Sequence, residues 1–235
     1  MPFAALRLTR AGRGAEGGRT ASALLHLFVT HALSCYNTSC IRTAAPAGGI
    51  SVKGDIKNMN EQLMEIFLSR RSIRSYTGEP VPMEKLNQII MAGLSSASGR
   101  AARPWELIVV RDKNKLIDMS GCRLKGSSRM LAGADAAIVV LGDETKSDVW
   151  TEDCSIVMAN MHLMASALGV GSCWIQGRDR EAIDGGSTED YLRRILQFPW
   201  ECRLEAILSL GMPDEELPAR TPESLPFNKV HINKF

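Results

Sequence analysis

The chain has 235 residues, 45% of them hydrophobic and 23% charged, with a formal net charge of +2, which is ordinary for a soluble globular protein with room for a buried core. That charge is uneven: residues 1–58 hold five Arg and two Lys against Glu16 and Asp55, a net +5, leaving −3 for residues 59–235. The main body therefore lacks the basic excess of a general nucleic-acid binder, and no apolar run reaches the ~20 residues of a membrane span.

Residues 1–58 differ in composition from the rest of the chain: they are rich in Ala, Gly and Arg, and poor in acids. Arg7, Arg10, Arg13 and Arg19 precede the apolar stretch Ala21–Leu33, a superficial likeness to a targeting segment without a clean cleavage site. Lys53-Gly54-Asp55 just before Met59 fits a purine-rich ribosome-binding segment. We therefore read Met59 as the native start, with residues 1–58 disordered or absent from the native product. Gly12-Arg-Gly14-Ala-Glu-Gly17 matches a dinucleotide fingerprint, but no Asp or Glu occurs between Glu16 and Asp55, so the match is read as chance.

From Met59 the pattern is that of a folded domain. Leu63, Ile66, Phe67 and Arg70 recur at helical spacing, which puts Ser69-Arg-Arg-Ser-Ile-Arg-Ser-Tyr76 at a helix C-terminal end. Gly78-Glu-Pro-Val-Pro82 is an extended turn, and Glu84–Ser95 a second helix. A polar loop, Ser95–Arg103, leads to a near-continuous apolar strand at Glu106–Arg111, expected to be central in its sheet. Lys113–Ser120 reads as a short helix and Cys122–Met130 as a basic, mobile loop. Further on lie a strand at Ala136–Leu141, the long helix Val149–Leu168 ended by Gly169, a strand at Val170–Ile175, a helix at Thr188–Phe198 and a last strand at Leu204–Leu210. Lone strands between helices imply an α+β or three-layer domain. On the long helix, Ser155, Ala159, His162 and Ser166 form a small-residue stripe expected to meet another subunit, and Asp153 is read as a favourable charge at the helix start.

No Ser/His/Asp set, H-E-x-x-H or P-loop occurs, and His162 alone reads as a packing or interface residue. The six Cys are scattered with no C-x-x-C pair, so neither a zinc site nor a disulfide framework is suggested, and buried free thiols in a reducing, cytoplasmic setting are expected. What the chain offers is donors on separate loops and no nucleophile, a pattern that suits a bound cofactor performing the chemistry.

Ser69-Arg-Arg-Ser-Ile-Arg-Ser-Tyr76, Glu79-Pro-Val-Pro82 and Ser98-Gly-Arg-Ala-Ala-Arg-Pro-Trp-Glu-Leu-Ile-Val-Val110 resemble the first half of the FMN-dependent nitroreductase family. Glu152-Asp-Cys-Ser155, Asn160-Met161, Ala167-Leu-Gly-Val-Gly-Ser-Cys-Trp-Ile175 and Leu208-Ser-Leu-Gly-Met-Pro213 match its second half in order, so the likeness spans residues 59–235. It implies a nitroreductase-like three-layer α+β domain with a central mixed sheet, in an intertwined homodimer with FMN at the interface. It also implies roles: Arg70, Arg71 and Ser72 on phosphate or ribityl oxygens, and Arg74 as a cation near the pyrimidine edge that favours the reduced flavin. Ser98 and Gly99 would lie against the dimethylbenzene side and ribityl chain, the backbone amides of Gln176 and Gly177 at N5 and O4, and Arg220 at the phosphate. The activity implied is hydride transfer from NAD(P)H, as co-substrate, to a nitroaromatic, quinone or similar acceptor by a ping-pong cycle. Alternatives on the same scaffold are ene reduction, reductive dehalogenation, flavin fragmentation or a non-catalytic flavin-binding dimer. The chain departs from the family at Ala101, where Asn is common, at Ala97 for Pro and at Ala159 for a polar residue. Weaker FMN binding is expected, with Arg100 or Arg103 as replacement donors.

Overall fold

The structure, a computed structural model, describes residues 52–235, with side chains from residue 58. The expectations for residues 1–51, including the fingerprint match, Cys35 and Cys40, lie outside the described residues. The chain divides into two compact units, one of Met1–Glu61 with Pro222–Phe235 and one of Gln62–Thr221. In the first, the described residues form the opening turns of helix α1 (Val52–Ser69) and two short 3-10 turns, Pro222–Ser224 and Phe227–Lys229.

The second unit holds the remaining elements: α2 (Met83–Leu94), β1 (Trp105–Val110), α3 (Lys113–Met119), β2 (Ala136–Asp143), α4 (Trp150–Ala167), β3 (Gly171–Gln176), α5 (Thr188–Leu196) and β4 (Cys202–Gly211). The spans of this unit match the hydrophobic periodicity to within a few residues, whereas α1 begins at Val52, seven residues before the expected start of the folded domain at Met59. Asp112 caps α3 by accepting from the N–H groups of Asn114 (2.9 Å) and Lys115 (3.1 Å), and Ser187 caps α5 through the Asp190 N–H (2.9 Å).

The four strands run in the order β1-β2-β4-β3, each neighbouring pair antiparallel. The expected mixed sheet is thus antiparallel throughout the described strands. β2 and β3, joined through α4, do run the same way, but β4 lies between them and removes the one parallel pairing. β1 is an edge strand among the described residues rather than a central one; Leu107 packs into one core and Ile108 into the other, while Glu106 and Val109 stay exposed.

Side chains alternate across the sheet, giving two cores and three layers. On one face Ile138, Val140, Ala206 and Leu208 pack with Leu86 and Ile89 of α2 and Val157, Met158 and Met161 of α4. On the other, Val139, Leu141, Leu204 and Ile207 pack with Leu116 and Met119 of α3 and Leu192 of α5. Cys122, Cys154, Cys173 and Cys202 are buried free thiols, as expected. Among the described residues no helix is long and apolar enough to cross a membrane, and no cluster of potential metal ligands occurs.

Candidate functional site

The arginine-rich stretch leaves α1 and runs beside β3. The Ile73 N–H donates to the Ser172 carbonyl (2.9 Å), so residues 70–74 lie along the strand edge that has no described partner. Two glycines permit this approach: a Cβ on Gly171 would stand 2.9 Å from Ile73 Cγ2, and one on Gly211 would stand 2.6 Å from the Tyr76 ring. The buried Tyr76 hydroxyl donates to the Ile73 carbonyl (2.9 Å) and bonds Ser209 Oγ (2.7 Å); burial pushes its pKa well above the ordinary phenol value.

Residues 214–220 close over the same stretch. The Asp214 N–H donates to the Ser75 carbonyl (3.0 Å), and Glu215 Oε1 accepts from the backbone N–H groups of Arg74 and Ser75, which hold its carboxyl below the usual range. Arg220 donates its N–H to the Leu68 carbonyl (2.9 Å) and its Nη1 to the Arg70 carbonyl (2.9 Å), while Arg71 Nη1 reaches the Pro218 carbonyl. Arg70, Arg71 and Arg220 are thereby brought together, and none of them, nor Arg74, forms an ion pair with a carboxylate among the described residues. Burial first, then the Arg220 and Arg71 charges, lowers the pKa of Arg70. Such a group of guanidiniums lacks an anion.

Arg70 is fixed from behind by His162. Arg70 Nη1 lies 2.6 Å from His162 Nε2, and His162 Nδ1 lies 2.6 Å from Ser172 Oγ. A guanidinium only donates, so Nε2 accepts, and the ring proton sits on Nδ1 and is given to Ser172. Burial, with the Arg70 charge, lowers the His162 pKa to about 4. The small-residue stripe of α4 therefore turns partly inward: His162 grips Arg70, and Ser155 Oγ donates to Glu205 Oε1 (3.3 Å). Nothing in the sequence marks His162 except that it stands alone on an apolar helix. Its partner Arg70 is 92 positions away.

At the far end of β3, Gly177 and Arg178 both donate their N–H groups to the Glu205 carbonyl (3.1 and 2.9 Å). The Gly177 amide is thus turned into the sheet rather than outward. Gln176 differs: its carbonyl accepts from Arg123, and alternation along an antiparallel ladder points its peptide, like that of Ser172, to the open edge. Of the two amides expected to face a ligand, the structure places only that of Gln176 on the free side. A Cβ on Gly177 would lie 2.5 Å from Leu204 Cδ2, so any larger residue there must displace the Leu204 side chain. Glu205, buried beneath, has its pKa raised by burial against the opposing pull of Arg178 at 3.3 Å.

Ser98, Gly99 and Arg103 form a separate group at the start of α4. Gly99 donates its N–H to Asp153 Oδ1 (2.8 Å), Ser147 Oγ donates to Asp153 Oδ2 (3.2 Å), and Ser98 Oγ accepts from the Arg103 N–H (3.0 Å). Asp153 is buried and acts as the anchor of this loop, more than as a helix-end charge. Asp153 and His162 are nine positions apart on α4, about 14 Å of helix rise, so the Ser98 loop and Arg70 are held at opposite ends of that helix. The loop is strained, with Arg100 (φ 52°), Ala101 (φ 55°) and Arg103 (φ 47°) in the left-handed region that non-glycine residues avoid. Arg100 is occupied by an exposed ion pair with Asp148. The Cys122–Met130 loop, expected to be mobile, is tied by Ser128 Oγ, which accepts from the Arg123 N–H (3.1 Å) and donates to the Ser120 carbonyl (2.7 Å).

The model of the nitroreductase family matches residues 68–122 and 118–212. The chain belongs to that family. Its fold is similar to that of an FMN-dependent nitroreductase from Clostridium difficile, with a TM-score of 0.71 and 44% identity over 73% of this chain and 99% of that one. An Archaeoglobus fulgidus protein assigned as an NADH dehydrogenase/NAD(P)H nitroreductase is 35% identical over 160 residues, 66% of this chain and 88% of that one. A Desulfovibrio desulfuricans protein solved in complex with FMN shares the fold, with a TM-score of 0.59 at 24% identity. The nitroreductase match covers both the arginine stretch and the Gln176 segment, so the two halves of the candidate site fall within one family domain.

Proposed function

We propose that this nitroreductase-family chain is an FMN-dependent oxidoreductase that takes hydride from NAD(P)H and gives it to a nitroaromatic, quinone or similar acceptor in two separate half-reactions. The observation that carries the reading is the convergence of Arg70, Arg71 and Arg220, without a carboxylate among them, beside the open edge of β3. The donor set fits the group. Three guanidiniums suit a phosphate dianion, and the outward backbone N–H of Gln176 suits an acceptor on the polar rim of a planar ring. FMN, when bound, supplies the hydride chemistry that no side chain here supplies.

The residues of the chain would bind and tune. Arg70, held by His162, and Arg71 with Arg220 would take the phosphate. Ser72 would add a donor, and Arg74 would supply a fixed positive charge favouring the reduced, anionic state. The Gln176 peptide would orient the ring edge. Ser98, Gly99 and Arg103 are held at the opposite end of α4 from Arg70, and a homodimer whose partner supplies that loop would bring them to the ring end of the same cofactor. Exposed Leu63 and Phe67 on α1 and Met91 and Leu94 on α2 are apolar surface of the kind such an interface covers. Residues 59–235 would be the functional body, checked by the intact mass of natively expressed protein.

The test is an absorbance spectrum of the purified protein with an anaerobic NAD(P)H titration. The reading expects a flavin spectrum that bleaches on titration and returns on adding a nitroarene or quinone. A protein that neither retains nor takes up FMN would overturn it.

A further inference from the structure

Arg123 is a cation that the fold places beside the open edge of β3 without a counter-ion among the described residues. Its Nη1 donates to the Gln176 carbonyl, and its Nε is sealed from solvent with no acceptor. A second such cation, Arg180, is held close by. The Leu124 N–H donates to the Glu181 carbonyl (2.7 Å), the Ile183 N–H to the Gly121 carbonyl (3.2 Å), Thr188 Oγ1 to the Cys122 carbonyl (2.7 Å) and the Thr188 N–H to the Arg180 carbonyl (2.7 Å). These four bonds staple the Gly121–Leu124 loop to the Arg180–Ile183 loop. Among the described residues the Arg180 guanidinium reaches only the Asp179 carbonyl (3.0 Å).

The neighbouring arginines are neutralised. Arg178 pairs with Asp179 and Glu205, Arg193 with Glu189, Arg194 with Asp184, and Arg203 with Glu144 and Glu189. Arg123 and Arg180 have no carboxylate partner among the described residues. Burial, then the charge of Arg180, lowers the pKa of Arg123. Two like charges held together by backbone bonds, one of them partly buried, are destabilising unless an anion joins them. Because Arg123 hangs on the Gln176 carbonyl, that anion would sit beside the peptide read above as facing the flavin ring.

We propose that Arg123 and Arg180 form an anion subsite that selects electron acceptors bearing a carboxylate, such as nitroarene carboxylates, over neutral ones. The inference rests on the flavin reading of the β3 edge. A carboxylate between the two guanidiniums would gain charge-assisted hydrogen bonds that a neutral isostere cannot make.

The experiment uses the full-length protein loaded with FMN. The first measurement is the ratio of kcat/KM for 4-nitrobenzoate to that for 4-nitrobenzyl alcohol, in wild type, Arg123→Gln, Arg123→Lys and Arg180→Gln. The second is the affinity of benzoate, which is not reduced, measured by calorimetry and by perturbation of the flavin spectrum at two salt concentrations. The expected result is a wild-type preference for the carboxylate, with the ratio falling about tenfold or more in Arg123→Gln. A smaller fall is expected in Arg180→Gln, with partial retention in Arg123→Lys and a parallel loss of benzoate affinity. The ratio is insensitive to a general loss of activity, and the exposed Arg180 provides a variant that does not disturb the fold. A ratio near one in wild type, or one unchanged by both Gln variants, would overturn the inference. So would an effect of Arg123→Gln confined to the preference for NADPH over NADH, which would assign the subsite to the phosphate of the donor. If the protein takes up no FMN, or reduces neither acceptor, the flavin reading fails; if the neutral acceptor is reduced without carboxylate preference, only this inference fails.

Discussion

His162 should make the stability of the protein pH-dependent between about pH 4 and 6.5. In the fold its Nε2 accepts from Arg70 and its Nδ1–H reaches Ser172, both at 2.6 Å. The ring is buried at 6% exposure. Protonation would place a second cation against the guanidinium and replace the acceptor with a donor. The folded pKa is about 4 against an ordinary 6.5, so between these values the unfolded chain binds the proton and the folded one does not. The contribution of neutral His162 is therefore fully present above pH ~6.5, declines as pH falls, and is lost below pH ~4. At about 1.4 kcal/mol per unit, the total is roughly 3 kcal/mol, of which about 2–3 kcal/mol is lost by pH 4.5. Urea unfolding monitored by tryptophan fluorescence, at fixed protein concentration from pH 7.5 to 4.5, measures it. Carboxylates add their own acid dependence, so the informative quantity is wild type minus His162→Leu. That difference should shrink by about 2–3 kcal/mol across the window. Parallel profiles, within ~0.5 kcal/mol, would refute the reasoning.

Three further outcomes are expected. Arg220→Ala should weaken FMN retention about ten- to a hundredfold, as for a lost hydrogen bond to a charged group, measured by the recovery of free-flavin fluorescence on dilution. Ala101→Asn should tighten FMN binding and raise stability by about 0.5–1 kcal/mol, because Asn tolerates the left-handed conformation better than Ala and restores an amide; ultrafiltration and thermal unfolding check the two parts. Gly171→Val should release the Arg70–Tyr76 stretch from β3, since its Cβ would stand 2.9 Å from Ile73 Cγ2 and 3.1 Å from the Gly211 carbonyl. Faster amide exchange at Ile73 would report it.

Much of the architecture is legible in the chain itself. Hydrophobic periodicity located the α-helices and strands, apart from the first turns of α1 before Met59, because one-sided burial repeats at 3.6 or 2 residues. The Arg70–Arg74 cluster stood out because three guanidiniums within five positions are chemically visible without a fold. Pairing was not visible: the apolar run of β1 looked central and proved to be an edge, since an edge strand whose two faces both meet a core, Leu107 on one and Ile108 on the other, also carries consecutive apolar residues.

What the sequence by itself determined is the set of elements and the donors each one carries. Only the tertiary structure decided which donors are already used and which are left over. It turned the Gly177 amide inward to Glu205, gave His162 to Arg70 across 92 positions, and left Arg123 and Arg180 without a counter-ion among the described residues. Periodicity is a local property of the chain. Hydrogen-bond and charge pairing depend on which distant segments meet, and no single segment carries that information.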